Sequence, residues 1–434
     1  LEYCQPFLNE STVKFLIRWQ KTFSGMNDEP AAPVELDTYE SAVSLNAMRL
    51  LLLVVTLIVV FGLTMLYSAS YNTDGLKYFR NQIIWAAMGF AGGTAAFLIG
   101  YRKLASWSGV LMGLSFVLLL VAAFCFPAIN GANRWIKFRL PGLEMTLQPS
   151  EFAKIAVALF VAKYCSENIR TFNQLRGWRG ILPLIGISGA VICGILIGRD
   201  FGTTALVMTM AVAIAVMAGL RWYYLAVPAV FAGLAALYVV LFDPNRLGRV
   251  TTFLRPEETR SGGGYQLWNS LLAFGSGGWT GVGFMESRLK QKYLPEQHTD
   301  FILSIVGEEL GLLGMLFVLG LYVCFTWFGL RISMNSRSRL GMLLGCGLTL
   351  GITLQAAINI AVVTGAAPTK GMPAAFISYG GSNIMASLIA VGILVSIAFD
   401  NICPNYNVQY MNAIRSKLWF LPWNRQFRKN REES

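Results

Sequence analysis

The stretch from Tyr293 to Asp300 (YLPEQHTD) gathers two carboxylates, Glu296 and Asp300, around the only histidine of the chain, His298. Phe301 then opens a long apolar run. A carboxylate at the lip of a bilayer sits where the dielectric changes steeply, so Asp300 is a candidate for proton chemistry or substrate contact. His298 is a candidate base or ligand, or a residue that orients the loop by hydrogen bonding.

Four further polar sets interrupt apolar surroundings. In QPSEFAK, residues 148–154, Pro149 suits the first turn of a helix, and Ser150 and Glu151 favour a helix N-terminus. Glu151 and Lys154 are three apart and can pair on one helix face. They either fasten the helix end or line a buried cavity, and the cost of charge inside an apolar span favours the cavity. Asp200 precedes Phe201-Gly202-Thr203, where capping a helix and a functional role are both open. Gln355 and Asn359, four apart, suit interhelical hydrogen bonds. Ser378-Tyr379-Gly380-Gly381-Ser382 permits close helix approach or a kink, with Ser382 able to satisfy freed backbone groups. There is no phosphate-binding glycine loop with lysine, no Cys/His metal cluster and no Ser/His/Asp set with supporting spacing.

These residues need elements to hold them. The 434-residue chain is 55% hydrophobic and 13% charged, with mean hydropathy +0.53; soluble domains carry about 25% charged residues. It therefore reads as an all-α polytopic membrane protein. Apolar runs at 50–70, 83–100, 107–127, 149–165, 181–198, 201–219, 222–242, 301–330, 340–364 and 376–399 predict a bundle of about ten transmembrane helices, with one large extracytoplasmic loop, 243–300, between helices seven and eight. Within that loop, residues 265–284 alternate apolar residues with glycine and predict a segment that lies on the membrane or folds back into the bundle. The seven cysteines show no paired spacing, and those in apolar spans read as packing residues. No cleavable signal sequence is recognised, and Met26 is a candidate start.

An even number of spans puts both termini on one side, and the excess of Lys and Arg there, much of it in the tails, predicts that they are cytoplasmic. The net charge of +12 is spread over the loops of a membrane protein, not gathered on a soluble face, so nucleic acid is not the expected partner. Against the orientation rule, Arg246, Arg249, Arg255, Arg260, Arg288, Lys290 and Lys292 lie in the 243–300 loop, and Arg134, Lys137 and Arg139 follow span three. Such outward cations suit either an anionic ligand such as phosphate or lipid headgroups.

In order along the chain, GLTMLYSAS (62–70), Asn130-Gly131 with Arg134-Trp135, QPSE (148–151) with Lys154, DFGT (200–203), GYQ (264–266), SLLAFG (270–275), LPEQHTD (294–300), GEELG (307–311), PTKG (368–371) and SYGGS (378–382) resemble the SEDS family of shape, elongation, division and sporulation proteins. The resemblance covers roughly residues 48–402, with a tail at 1–47 and a basic tail at 403–434. PTKG is more similar to the division branch, FtsW, than to the elongation branch, RodA. Three positions depart from the pattern: Arg199 where proline commonly precedes the Asp, Pro373-Ala374-Ala375 in place of a Leu-Pro order, and Asn383 in place of a second serine.

The resemblance implies a ten-helix glycosyltransferase of the bacterial inner membrane. It would polymerise lipid II into peptidoglycan strands at the septum, with a class B penicillin-binding transpeptidase and other divisome membrane proteins as partners. It also implies that Asp300 is catalytic, at the extracytoplasmic face. A carboxylate suits a general base on the attacking sugar hydroxyl. The departing pyrophosphate needs cations, for which Arg134 and Lys370 are candidates. Glu151 and Lys154 would support the cavity, and Glu296, His298, Ser378 and Ser382 are further candidate substrate contacts. A divalent cation, Mg2+ or Mn2+, is a candidate to share the pyrophosphate charge. The rival functions are a flippase for lipid-linked precursors and a noncatalytic divisome scaffold.

Overall fold

The computed structural model describes residues 38–402 apart from 128–132, 141–142, 170, 172, 175–179, 222, 225–232, 234–247, 249–250, 261, 291–297 and 370. The tails, the expected seventh span, the PTKG lysine Lys370 and Glu296 thus lie wholly or almost wholly outside the described residues.

The helices are α1 (Thr38–Asp74), α2 (Lys77–Ile99), the short α3 (Tyr101–Ser106), α4 (Ser108–Cys125), α5 (Pro149–Glu167), α6 (Ile181–Ile197), α7 (Phe201–Met217), α8 (Tyr265–Gly277), α9 (Ile302–Glu309), α10 (Gly311–Met334), α11 (Arg339–Val363) and α12 (Gly381–Ile402). Six of these, α1, α2, α4, α10, α11 and α12, are long and apolar enough to cross a membrane, and α6 and α7 are shorter apolar helices. The 19-residue α5 carries Glu151, Lys154, Lys163 and Glu167. Side chains such as Phe90, Val110, Phe124 and Trp327 stand outward, where hydrocarbon would receive them.

Three expectations change. The expected span 301–330 is two helices, because Gly311 takes a left-handed φ of +64° and a side chain there would strike Trp279 O at 2.6 Å. α12, at the expected span 376–399, starts at Gly381, later than expected, since Phe376 at φ +68° keeps the preceding segment non-helical. A two-stranded antiparallel hairpin, β1 (Ile136–Leu140) with β2 (Leu143–Leu147), joins α4 to α5 and pairs Ile136 with Leu147. It is a small addition to an otherwise helical fold. The glycine-rich part of the long loop folds back into the bundle: α8 buries Leu267, Asn269, Ser270 and Ala273, and Ser270 Oγ lies 2.6 Å from Ser304 Oγ of α9 and from Val363 O of α11.

Local signals set the helix starts around the site. Pro149 occupies the first turn of α5 with Glu151 beside it, and Asp200 caps α7 by accepting from Thr203 N at 3.3 Å. α12 runs through the interior, buried along most of its length and packed on α2, where Gly392 meets the Gly93 carbonyl so closely that no side chain fits between them. Close approach of small residues is how apolar helices associate in lipid.

Candidate functional site

Asp300 lies half-buried one residue before the Phe301 cap of α9. Its backbone is held from α11, where Asn359 Nδ2 donates to Asp300 O at 2.8 Å and to Met372 O at 2.7 Å. His298 stacks on Tyr78 of α2 with ring centroids 4.1 Å apart, and its carbonyl accepts from Tyr379 N at 2.9 Å. α2 grips the same loop a second time: Gln82 Nε2 donates to Ser378 O at 3.1 Å and Gln82 Oε1 accepts from Gly380 N at 3.3 Å. The far end of α9 is fastened too. Glu309 pairs with Lys290 at 2.9 Å and accepts from Ser68 Oγ of α1 at 2.7 Å, while Glu308 accepts from Ser287 Oγ and from Arg288 N at 3.0 Å.

Opposite Asp300 stands Arg134, delivered by the entry to the β-hairpin. Its Nη1 is 3.4 Å from Asp200 Oδ1. Asp200, 2% exposed, also accepts from Gln148 Nε2 at 2.8 Å and Ser150 Oγ at 3.1 Å, so it both caps α7 and holds Arg134. The guanidinium keeps a buried Nε without a partner. One point beside Gly371 lies 2.9 Å from Asp300 Oδ2 and 3.7 Å from Arg134 Nη2. A carboxylate and a cation with spare donors therefore meet across a small gap.

The gap opens into a cleft lined also by Trp135, Gln148, Glu151, Gln355 and Tyr379. Burial raises the Tyr379 phenol above its ordinary range, against a hydrogen bond from the Asn81 side, and keeps it a neutral donor. Glu151 and Lys154 pair at 2.6 Å, and Lys154 Nζ donates onward to Gln355 Oε1 at 2.7 Å. The amides of α11 thus bond to the cleft wall rather than to a facing helix alone, since Gln355 Nε2 also donates to Pro373 O at 2.8 Å.

The structure brings Asp300, Arg134, Glu151 and Ser382 to one cleft. Ser382 Oγ accepts from Gln148 N at 2.8 Å and donates to Thr146 O at 3.3 Å, which ties the hairpin to α12. Ser378 Oγ accepts from Ala374 N at 2.8 Å, and His298 is stacked on Tyr78 with Tyr379 edge-on to it, so both shape the loop around Asp300 instead of lining the cleft. Arg246, Arg249 and Lys292 lie outside the described residues, and the outer cations that are described do not gather at one point. Lys290 is 1% exposed and committed to Glu309, and Arg255 pairs with Glu258 at 3.3 Å in the open. Gln148, Asn359 and Asn383 are site residues that sequence reasoning did not single out as such. Gln148 opens a motif already noted, and the other two needed the fold. Among the described residues no three of His, Cys, Asp and Glu converge as a metal centre.

The FTSW_RODA_SPOVE family, described as cell cycle proteins, matches residues 47–401. The chain is 36% identical over 359 residues to the probable peptidoglycan glycosyltransferase FtsW of Trichlorobacter lovleyi, covering 80% of this chain and 92% of the relative. It is 35% identical over 364 residues to the stage V sporulation protein E of Bacillus subtilis, covering 80% and 96%. Among solved structures, a chain of a peptidoglycan synthase complex that coordinates polymerization and crosslinking superposes with TM-score 0.68 at 24% identity, over 81% of this chain and 98% of that one. The rod shape determining protein RodA of Thermus thermophilus gives 0.59 at 25% identity, over 81% and 96%. With a multi-pass helical bundle and a match spanning most of its length, the chain belongs to the FtsW/RodA/SpoVE family of cell cycle proteins.

Proposed function

We propose that this chain is a peptidoglycan glycosyltransferase that polymerises lipid II during septal wall synthesis, with Asp300 as its general base. The observation that carries the reading is the meeting of the Asp300 carboxylate and the Arg134 guanidinium at one buried cleft. Names of relatives 34–37% identical support the reaction class.

In the proposed step, the acceptor sugar hydroxyl attacks the anomeric carbon of the donor. The O–C bond forms as the bond from that carbon to the lipid pyrophosphate oxygen breaks. Asp300 takes the hydroxyl proton, and the pyrophosphate leaves with the bonding electrons. Arg134, fixed by Asp200 and retaining an unused Nε donor, stabilises that charge. Lys370, next to Gly371 in sequence, is the second cation assigned to it. Pyrophosphate departs without full protonation, so no general acid is needed. Among the described residues Glu151 is tied to Lys154 and Asp200 to Arg134, which argues against a resident divalent ion held by them. A divalent cation would enter with the substrate pyrophosphate, and no step here runs through it.

The cleft is assigned to the extracytoplasmic side and both termini to the cytoplasm, on the distribution of Lys and Arg. A class B penicillin-binding transpeptidase is the proposed partner, in keeping with the likeness to a chain of a peptidoglycan synthase complex. The test is lipid II polymerisation by the purified protein with its transpeptidase. Asp300→Asn keeps the shape and removes the basicity, and its expected result is loss of strand synthesis. Substantial remaining polymer removes Asp300 from the role of base, and lipid translocation without polymer would favour the flippase.

A further inference from the structure

The cleft wall holds a buried amide donor that has no partner among the described residues. Asn383 lines it from the first turn of α12 and is 3% exposed, and its Nδ2 has no hydrogen-bond partner. The two ends of a carboxamide look alike in shape, so the chemistry of the neighbours has to decide which end is left over.

Lys154 Nζ, 2.7 Å from Gln355, has only protons to offer, so Gln355 must turn its oxygen to it. The Gln355 amide nitrogen then faces Pro373 O, a pure acceptor, at 2.8 Å and the Asn383 side chain at 3.0 Å. Asn383 must meet that N–H with its oxygen, and Ser387 Oγ adds a weak second donor to the same oxygen at 3.5 Å. Each amide orientation is thus dictated by the one before it, starting from an ammonium that Glu151 holds at 2.6 Å. The series runs from α5 through α11 to α12 and ends in an N–H group that is fixed in direction and unused. Polarisation along such a series strengthens its last donor, and a buried donor left unmade is unfavourable.

We infer that Asn383 is a substrate-binding residue that donates from Nδ2 to a neutral oxygen of the lipid-linked amino sugar, an acetamido carbonyl or a ring hydroxyl. The inference rests on reading the cleft as the polymerisation site. A neutral acceptor is favoured over a phosphate because the nearby cation, Lys154, is already taken by Glu151 and Gln355. The cation with spare donors, Arg134, faces Asp300 across Gly371. The sugar and the pyrophosphate would then be held at separate points of the cleft.

The experiment measures kcat and KM for lipid II polymerisation by the full-length protein in complex with its transpeptidase. Asn383→Leu removes the donor while keeping the branched shape and heavy-atom count. Asn383→Asp keeps the shape and replaces the N–H with an oxygen that repels an acceptor. Both are expected to lower kcat/KM by about tenfold or more, the aspartate further than the leucine. Lipid II analogues that lack the acetamido carbonyl or a single hydroxyl identify the acceptor. The expected result is that one analogue costs the wild type what Asn383→Leu costs, and costs the variant nothing more. Wild-type kcat/KM in both variants, or losses that add for every analogue, overturns the assignment. Where Asn383→Leu fails to fold, Asn383→Asp decides. An inactive Asp300→Asn beside fully active Asn383 variants sinks only this inference, whereas an active Asp300→Asn sinks the site reading itself.

Discussion

Lys290 and Glu309 form a buried ion pair whose disruption can be worked out from its surroundings. The two side chains are 1% and 0% exposed and 2.9 Å apart. Ser68 Oγ lies 2.7 Å from both carboxylate oxygens and shares its one proton between them, and Lys290 Nζ also meets the Met285 carbonyl. Glu309→Ala leaves the ammonium in an apolar interior with only neutral partners. Removing one member of such a pair costs about 3–5 kcal/mol, mostly through the charge left behind. For a chain of 434 residues that is about 3–5 °C of melting temperature. Replacing both charges, as in Lys290→Met with Glu309→Leu, should recover most of the loss, because the desolvation of two ions is then avoided. Thermal unfolding in detergent of the two single variants and the double variant closes the cycle. Since α9 begins just after Asp300, the single variants should also lose polymerisation and the double should regain part of it. A single-variant loss below about 1 kcal/mol, or a double variant as unstable as the sum of the singles, would refute the view that the pair is a coupled, desolvated unit.

Three further outcomes follow from the same geometry. Arg134→Ala should reduce lipid II polymerisation by about a hundredfold, the usual scale for removing a charge-stabilising donor, whereas exposed Arg255→Ala should change it by less than about threefold; equal effects in the same assay would mean that the cations act only as a diffuse field. Arg199 sits at φ +60° after α6 with its N–H bonded to Leu196 O at 2.9 Å, a position that suits glycine. Arg199→Gly should therefore stabilise the protein by about 1 kcal/mol, and Arg199→Pro, which cannot take that φ and lacks the donor, should cost about 3 kcal/mol, both read as melting shifts. Asp200→Ala should cost about 1–2 kcal/mol as a lost cap and should also lower kcat, since Arg134 loses its anchor; unchanged kcat with lowered stability would restrict Asp200 to capping.

The departure at Arg199 is informative about what a pattern carries. A proline there is incompatible with the left-handed backbone observed, so this chain closes the turn between α6 and α7 in its own way, with Asp200 still delivered to Arg134. Asn383 is similar: the sequence marks it as different, and only its neighbours reveal a directed donor.

Much was legible from residue type and spacing, because those features act locally. Apolar runs longer than a bilayer's thickness, a proline and glutamate at a helix start, and an Asp before Phe-Gly-Thr fix elements within a few residues of where they are found. Asp300 stood out for the same reason, as a carboxylate at a membrane boundary. The spacing also drew Glu151 and Lys154 onto one face, where they do pair. What spacing could not decide was which distant groups share a cleft. Lys290 looked like one outward cation among seven, and its use in a buried pair depends on α9 folding back beside it and on α1 arriving from far along the chain. The break at Gly311 depends on Trp279 approaching it, and the meeting of Asp300 with Arg134 depends on the hairpin, the 371–380 loop and α9 converging. Desolvation and charge pairing are properties of a place in space, and that place exists only once the helices have packed.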